Sequence, residues 1–212
     1  MENPVSPSQK FYLSVLVFIA WFAVITQFIL SYNLHVNPWP EMVTRFFSYF
    51  TIDTNILVAV CCTLIVTAPN PGWGRFFSRQ KTLAATTVYI VVVGLIYNII
   101  LRVLWKPEGL QWLVNELLHS VIPVMFLLFW LISAPKNNLQ WKNMWAWLIY
   151  PLVYTVCIFI RGALSGFYPY PFINITTIGV QSAIINAVGL AFVFAGMSLL
   201  FIVIGRLTGK KT

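Results

Sequence analysis

His119 has more chemically useful neighbours than any other residue in this 212-residue chain. Asn115 lies four positions before it and Glu116 three, so on a helix all three meet on one side. A neutral imidazole has one donor and one acceptor nitrogen. A partner at Asn115 or Glu116 would hold one nitrogen and leave the other as a general base. Pro123 follows one turn later; having no N–H, it releases the His119 carbonyl from its helix bond and is expected to kink the helix. A second polar run, Thr51-Ile52-Asp53-Thr54-Asn55, offers hydroxyls, a carboxylate and an amide. Asn98 and Arg102, four apart, share a face, and Arg161 stands alone in an apolar stretch.

These types suit a hydroxyl nucleophile activated by a histidine base. Thr51 is the first choice, with Thr54 and Ser120 as alternatives. Arg102 or Arg161 would hold a carboxylate or headgroup, or stabilise an oxyanion. Glu116-Leu117-Leu118-His119 also has the Glu-x-x-His spacing of di-iron bundles, which need two such motifs and further carboxylates. This chain has one, and its other histidine, His35, falls in a loop. Neither a metal nor another cofactor is therefore expected. No Ser sits in a Gly-x-Ser-x-Gly elbow. Cys61, Cys62 and Cys157 read as small packing residues inside apolar runs.

Each polar residue also has a plainer role. A membrane histidine can serve a helix–helix hydrogen bond, a threonine can bond back to its own helix, and arginines near a membrane end can snorkel to headgroups. Asp53 and Glu116 can simply pair with the two arginines.

The elements that must position these groups are membrane helices. Hydrophobic residues make up 59% of the chain and charged residues 8%, against about 25% charged in a soluble domain. Six apolar runs reach the roughly 20 residues that a bilayer core requires: Phe11–Ser31, Phe50–Thr67, Thr82–Leu104, Trp112–Ser133, Trp145–Ser165 and Val180–Gly205. They are apolar all round, so they predict an all-α, six-helix, multi-pass membrane protein rather than a barrel. Residues 1–10 form an N-terminal tail, 11–205 a single transmembrane domain and 206–212 a basic tail. The first run is read as an uncleaved helix rather than a signal peptide.

With both termini cytoplasmic, the inside holds Lys10, Arg75, Arg79, Lys81, Lys136, Lys142, Arg206, Lys210 and Lys211, and the outside Arg45, Arg102, Lys106 and Arg161. That bias sets the orientation and accounts for most of the +8 net charge without a nucleic-acid partner. The basic tail would touch anionic lipid. In this orientation Thr51, Arg102, His119 and Arg161 come from four helices to one layer near the outer ends. Residues scattered for structural reasons would not share a depth, so the layer reads as a site.

Two connections are long enough to cover that mouth, 32–49 and 166–179; the second carries Tyr168-Pro169-Tyr170-Pro171-Phe172. Connections near Pro69–Arg79 and Pro135–Lys142 read as plain turns with basic anchors. Asn174-Ile175-Thr176 matches a glycosylation sequon but lies too close to the sixth helix to weigh. No internal repeat of the transporter kind is present, and a homo-oligomer is compatible with six helices. The rival to an enzyme is a solute or lipid transporter or binding protein using the same polar layer.

Three stretches resemble, in order, the signatures of one family of small membrane proteins: Tyr49-Phe50-Thr51-Ile52-Asp53-Thr54-Asn55, Asn115-x-x-x-His119 followed by Pro123, and Gly166-Phe167-Tyr168-Pro169-Tyr170-Pro171-Phe172. That family joins the bacterial six-helix Pr6Pr-type proteins to the animal androgen-induced and androgen-dependent TFPI-regulating proteins. The third stretch is most similar to the bacterial branch, which implies a bacterial inner (plasma) membrane. The resemblance implies a threonine membrane hydrolase acting on fatty acid esters of hydroxy fatty acids, with Thr51 as nucleophile and His119 as base. The expected supporting residues are Asn115, Glu116, Asp53, Thr54 and Asn55. Arg102, Arg161, Tyr168 and Tyr170 are expected to bind substrate, a lipid or fatty-acyl ester.

Overall fold

The computed structural model describes residues 6–34, 36–68 and 72–209. His35, Pro69, Lys210 and Lys211, named above, lie outside the described residues. The described chain is all-helical and has six helices long and apolar enough to cross a membrane, which makes this a multi-pass membrane protein. The helices are α1 (Pro7–Asn33), α2 (Trp39–Phe46), α3 (Phe50–Thr67), α4 (Gly72–Phe77), α5 (Gln80–Ile96), α6 (Gly109–Glu116), α7 (Ile122–Ser133), α8 (Asn143–Ser165) and α9 (Ile175–Thr208). Two π-helical segments, Tyr97–Leu101 and Leu117–Val121, extend α5 and join α6 to α7.

Burial sorts the helices into a centre and a periphery. The spanning windows of α3 and α5 are 56% and 61% buried, against 22% for α8 and for α9. α3 packs on α1 and α5; α5 also packs on α7 and α9, and α9 on α8. Phe11, Phe18, Ile132, Leu164, Phe192 and Leu207 are mostly exposed, a cost in water but none in lipid, where only the backbone must satisfy itself.

That backbone rule explains where polar side chains go. Pro151 interrupts α8 and cannot donate to the Trp147 carbonyl; the Tyr89 hydroxyl donates to it instead, at 2.7 Å. Pro123 has a larger effect. The Ile122 N–H reaches back to the Leu117 carbonyl in the π segment, and Pro123 has no N–H to offer. The Leu118 and His119 carbonyls are each met by an asparagine from another helix, Asn55 Nδ2 of α3 at 3.2 Å and Asn98 Nδ2 at 3.2 Å. The expected kink is thus a π segment, a form that recurs at functional sites. Gly94 lets α5 approach it: a Cβ there would lie 3.1 Å from the His119 carbonyl oxygen.

The connections differ from plain loops in two places. Residues 32–49 contain α2 and 72–77 form α4. Gly166, at φ 71°, ends α8 in the left-handed conformation that glycine tolerates. Gly179 (φ 79°) separates the first turn of α9 from its long apolar part, which therefore starts at Val180, where the apolar run placed it. Cys61 and Cys62 are buried, as packing residues should be, whereas Cys157 is exposed on the outward side of peripheral α8.

Candidate functional site

Chain alternation brings the start of α3, the π segments, the end of α8 and the loop 166–174 to one end of the bundle. The N-terminus of α3 has no side-chain cap of its own, and two of its orphan amides are met by tyrosines from afar. The Phe50 N–H donates to the Tyr154 hydroxyl at 3.1 Å, and that hydroxyl donates to the Ser48 carbonyl at 2.7 Å. The Thr51 N–H points to the Tyr170 hydroxyl at 3.4 Å. Loss of solvent around Tyr170 pushes its phenol up to about 12, so it remains a neutral donor and acceptor.

Thr51, Tyr97, Tyr154, Thr155 and Tyr170 are the polar lining of a cavity of about 230 Å³ between α3, α5, α8 and α9. The rest of its wall is apolar, and no charged residue lines it. Hydroxyls in these helices generally bond back to the carbonyl four residues earlier, as Thr63, Thr67, Thr86, Thr87 and Thr155 do. Thr51 makes no such bond. It is 8% exposed, and its hydroxyl lies beside that of Tyr170 at the cavity wall.

His119 sits in the middle of the π segment Leu117–Val121. Its Nδ1 lies 2.9 Å from the Asn115 carbonyl. A carbonyl only accepts, so Nδ1 carries the proton and the neutral ring keeps its lone pair on Nε2. Nε2 has no hydrogen-bond partner among the described residues. The Asn115 amide goes elsewhere, donating to the Tyr97 hydroxyl. The Tyr97 ring stacks on the imidazole, 4.0 Å between centroids and 22° apart. Tyr97 lines the cavity and His119 does not. Asn55 spans the gap between helices, donating to both the Thr51 carbonyl (2.8 Å) and the Leu118 carbonyl (3.2 Å). Its own carbonyl oxygen, like the Thr54 hydroxyl, is buried without a partner among the described residues.

The charged candidates are placed differently. Glu116 pairs with Arg102 at 2.7 Å and accepts from Ser120 at 3.0 Å, and Arg102 also donates to Asn98 at 2.9 Å. Glu116 therefore holds an arginine and not the imidazole. Arg161 pairs with Glu41 of α2 at 3.3 Å, and Arg45 holds the same carboxylate at 2.7 Å. Both guanidinium groups lie over the Phe167 ring, 4.5 Å and 5.0 Å from its centroid. Neither Arg102 nor Arg161 lines the cavity, and both already have carboxylate partners. Asp53, in the first turn of α3 where a carboxylate suits the helix dipole, pairs with no cation among the described residues. The Tyr168 ring packs where a Gly162 side chain would stand and does not line the cavity, whereas Tyr170 does.

Tyr97, Tyr154 and Glu41 escaped the sequence reading. Tyrosines are too frequent here for spacing to single out two of them. Glu41 had a usable signal: the chain has five acidic residues in all, so each arginine in an apolar run has few possible partners.

No known family profile matches the chain, and no solved structure matches it. It is similar to an uncharacterised protein of Mycoplasma pneumoniae, 23% identical over 172 residues covering 76% of this chain and 65% of that protein. The chain thus spans about 65% of the length of that curated relative, whose description names no activity.

Proposed function

We propose that this protein is an intramembrane lipid ester hydrolase with Thr51 as nucleophile and His119 as base. The observation that carries the proposal is Thr51: its hydroxyl is not bonded back to its helix, and the residue is buried and lines an apolar cavity. Thr51 Oγ attacks the ester carbonyl carbon and His119 Nε2 takes its proton. The ester C–O bond breaks, and the leaving alkoxide receives the proton from His119. Water, deprotonated by the same nitrogen, then releases the acid from the acyl-threonine. The protonation of Nδ1 supports this role, because it leaves Nε2 free. Asn55, which joins the Thr51 turn to Leu118, supports the proximity of base and nucleophile. Tyr170 stands beside Thr51 and would donate to the developing oxyanion.

The charge asymmetry supports a position of this end of the bundle at the outer leaflet, and the resemblance to the bacterial branch favours a bacterial plasma membrane. The resemblance to threonine membrane hydrolases favours a fatty acid ester of a hydroxy fatty acid as the substrate.

One observation favours the rival reading, a lipid-binding or transport protein: His119 stands behind Tyr97 rather than in the cavity wall. Hydrolysis of a long-chain ester by purified protein in detergent separates the two. Hydrolysis that is lost in Thr51→Ala and in His119→Ala, with the melting temperature kept, is the expected result. Full activity in Thr51→Ala, or none in well-folded wild type, would overturn the hydrolase reading.

A further inference from the structure

We infer that the cavity opens sideways into the bilayer where α8 meets α9, and that it takes an uncharged polar segment of a lipid through that opening while the rest of the lipid stays in the membrane. This rests on the cavity being the substrate site, but not on Thr51 being a nucleophile. The lining has two sides. Thr51, Val92, Val93 and Tyr97 are buried in the bundle. Leu152 of α8 and Ile184 and Val188 of α9 also line the cavity, yet they are 47%, 52% and 50% exposed. Residues that are both lining and exposed mark where a cavity meets its surroundings.

Depth decides what those surroundings are. At about 1.5 Å per residue, Ile184 and Val188 lie about 6 Å and 12 Å along α9 from Val180, and Leu152 about 20 Å from the end of α8 at Ser165. All three positions fall within the roughly 30 Å of a hydrocarbon core. The opening therefore faces lipid, and a ligand enters without crossing water. Ala187 and Ala191, one turn apart on α9, belong to the lining, and their small side chains leave room beside the opening.

Size and charge decide what enters. At about 230 Å³ the cavity exceeds the roughly 150 Å³ that holds one benzene ring and falls below the roughly 300–1,000 Å³ of pockets for drug-sized ligands. It has room for a segment of a lipid and not for the whole. Its polar lining residues carry hydroxyls only, and no charged residue lines it. Arg102 and Arg161 are committed to Glu116 and Glu41. A carboxylate or phosphate brought inside would lose its hydration and find no cation, whereas an ester carbonyl needs only a hydroxyl donor such as Tyr170. A lipid whose ester lies partway along its chains presents that group at this depth, its charged end left among the headgroups.

The test is photo-crosslinking in phosphatidylcholine vesicles with a long-chain methyl ketone that bears a diazirine a few carbons from its carbonyl. The ketone keeps the carbonyl of an ester but cannot be hydrolysed, so the result stands whether or not Thr51 turns over an ester. Mass spectrometry of peptides should find more adducts on Val92 and Val93, which are buried in the lining, than on Ile149, Val153 and Ile185, which are exposed and outside it. Ala187→Phe fills the space beside the opening and should lose the lining adducts while keeping the outer ones. Ala187→Leu should lose them in part, which keeps the test open if the phenylalanine variant fails to fold. The same chain ending in a sulfate should label the outer residues alone. Lining adducts no more frequent than outer ones, undiminished in both folded variants, or equally strong with the sulfate, would overturn the inference.

Discussion

Two polar groups of residues share one end of this molecule, and their bookkeeping differs. In the charged group every candidate arginine has a carboxylate: Arg102 has Glu116, and Arg45 and Arg161 share Glu41. In the neutral group Nε2 of His119, the Thr54 hydroxyl and the Asn55 carbonyl oxygen have no partner among the described residues, and the Thr51 hydroxyl, beside that of Tyr170, is not bonded back to its helix. Spent charges hold elements together: α2 and Phe167 to α8, and the end of α6 to Arg102, just past the first π segment. Unspent neutral groups are available to a ligand. Within a membrane end, then, the informative residues are those whose hydrogen-bonding capacity is not yet used, and, Asp53 apart, they are not the charged ones.

The largest effect that would break this comparison is on turnover. Thr51→Ala should lower ester hydrolysis by at least about 10³-fold, while its melting temperature stays near that of wild type because the hydroxyl bonds to nothing in its helix. His119→Gln should lose activity on a similar scale. A charged-group variant with an equal loss would erase the distinction between the groups.

Next in size are the asparagines. Asn98→Leu removes the donor to the His119 carbonyl and the acceptor of Arg102. It should cost about 1–3 kcal/mol of stability, read as a lower melting temperature in detergent. Asn55→Leu frees the Leu118 carbonyl but also removes a buried, unpartnered oxygen, so its net loss should be smaller.

Arg102→Met sharpens the comparison from the other side. The Arg102 side chain is 42% exposed, and pairs this open contribute about 0–1 kcal/mol. Its KM should therefore change less than about threefold; a large rise in KM with kcat kept would make Arg102 a substrate-binding group after all.

The smallest effect is with pH. The Arg45 hydrogen bond holds the Glu41 carboxyl below its usual range. An acid depressed on folding contributes stability above its unfolded pKa, about 4.3 for Glu, and loses it as pH falls through the folded value. The α2 attachment should hold at neutral pH and loosen in stronger acid, measured as proteolysis of residues 36–49. A Glu41→Gln protein should show no such acid step.

Much of this was legible in the residues. Run length and uniform apolarity located all six spans, and Phe50–Thr67 coincides with α3 at both ends. Pro123 forecast a His119 carbonyl released from its helix bond, and spacing put Asn98 and Arg102 on one face, where they bond. Partner choice was less legible, because it depends on distance across helices and not along them. Asn115 holds the imidazole through its backbone carbonyl and spends its side chain on Tyr97, and Arg161 finds Glu41 from a connecting helix. The tyrosine caps of α3 had no local signal, since the amides they meet belong to a helix start 104 and 119 residues away.

Covalent trapping at Thr51 tests the central claim most directly. Purified protein in detergent would be treated with a fluorophosphonate and the modified residue found by mass spectrometry of peptides. The account predicts one phosphonyl adduct on Thr51, absent from folded Thr51→Ala and strongly reduced in His119→Ala. An adduct on another residue, or labelling undiminished in Thr51→Ala, would contradict it.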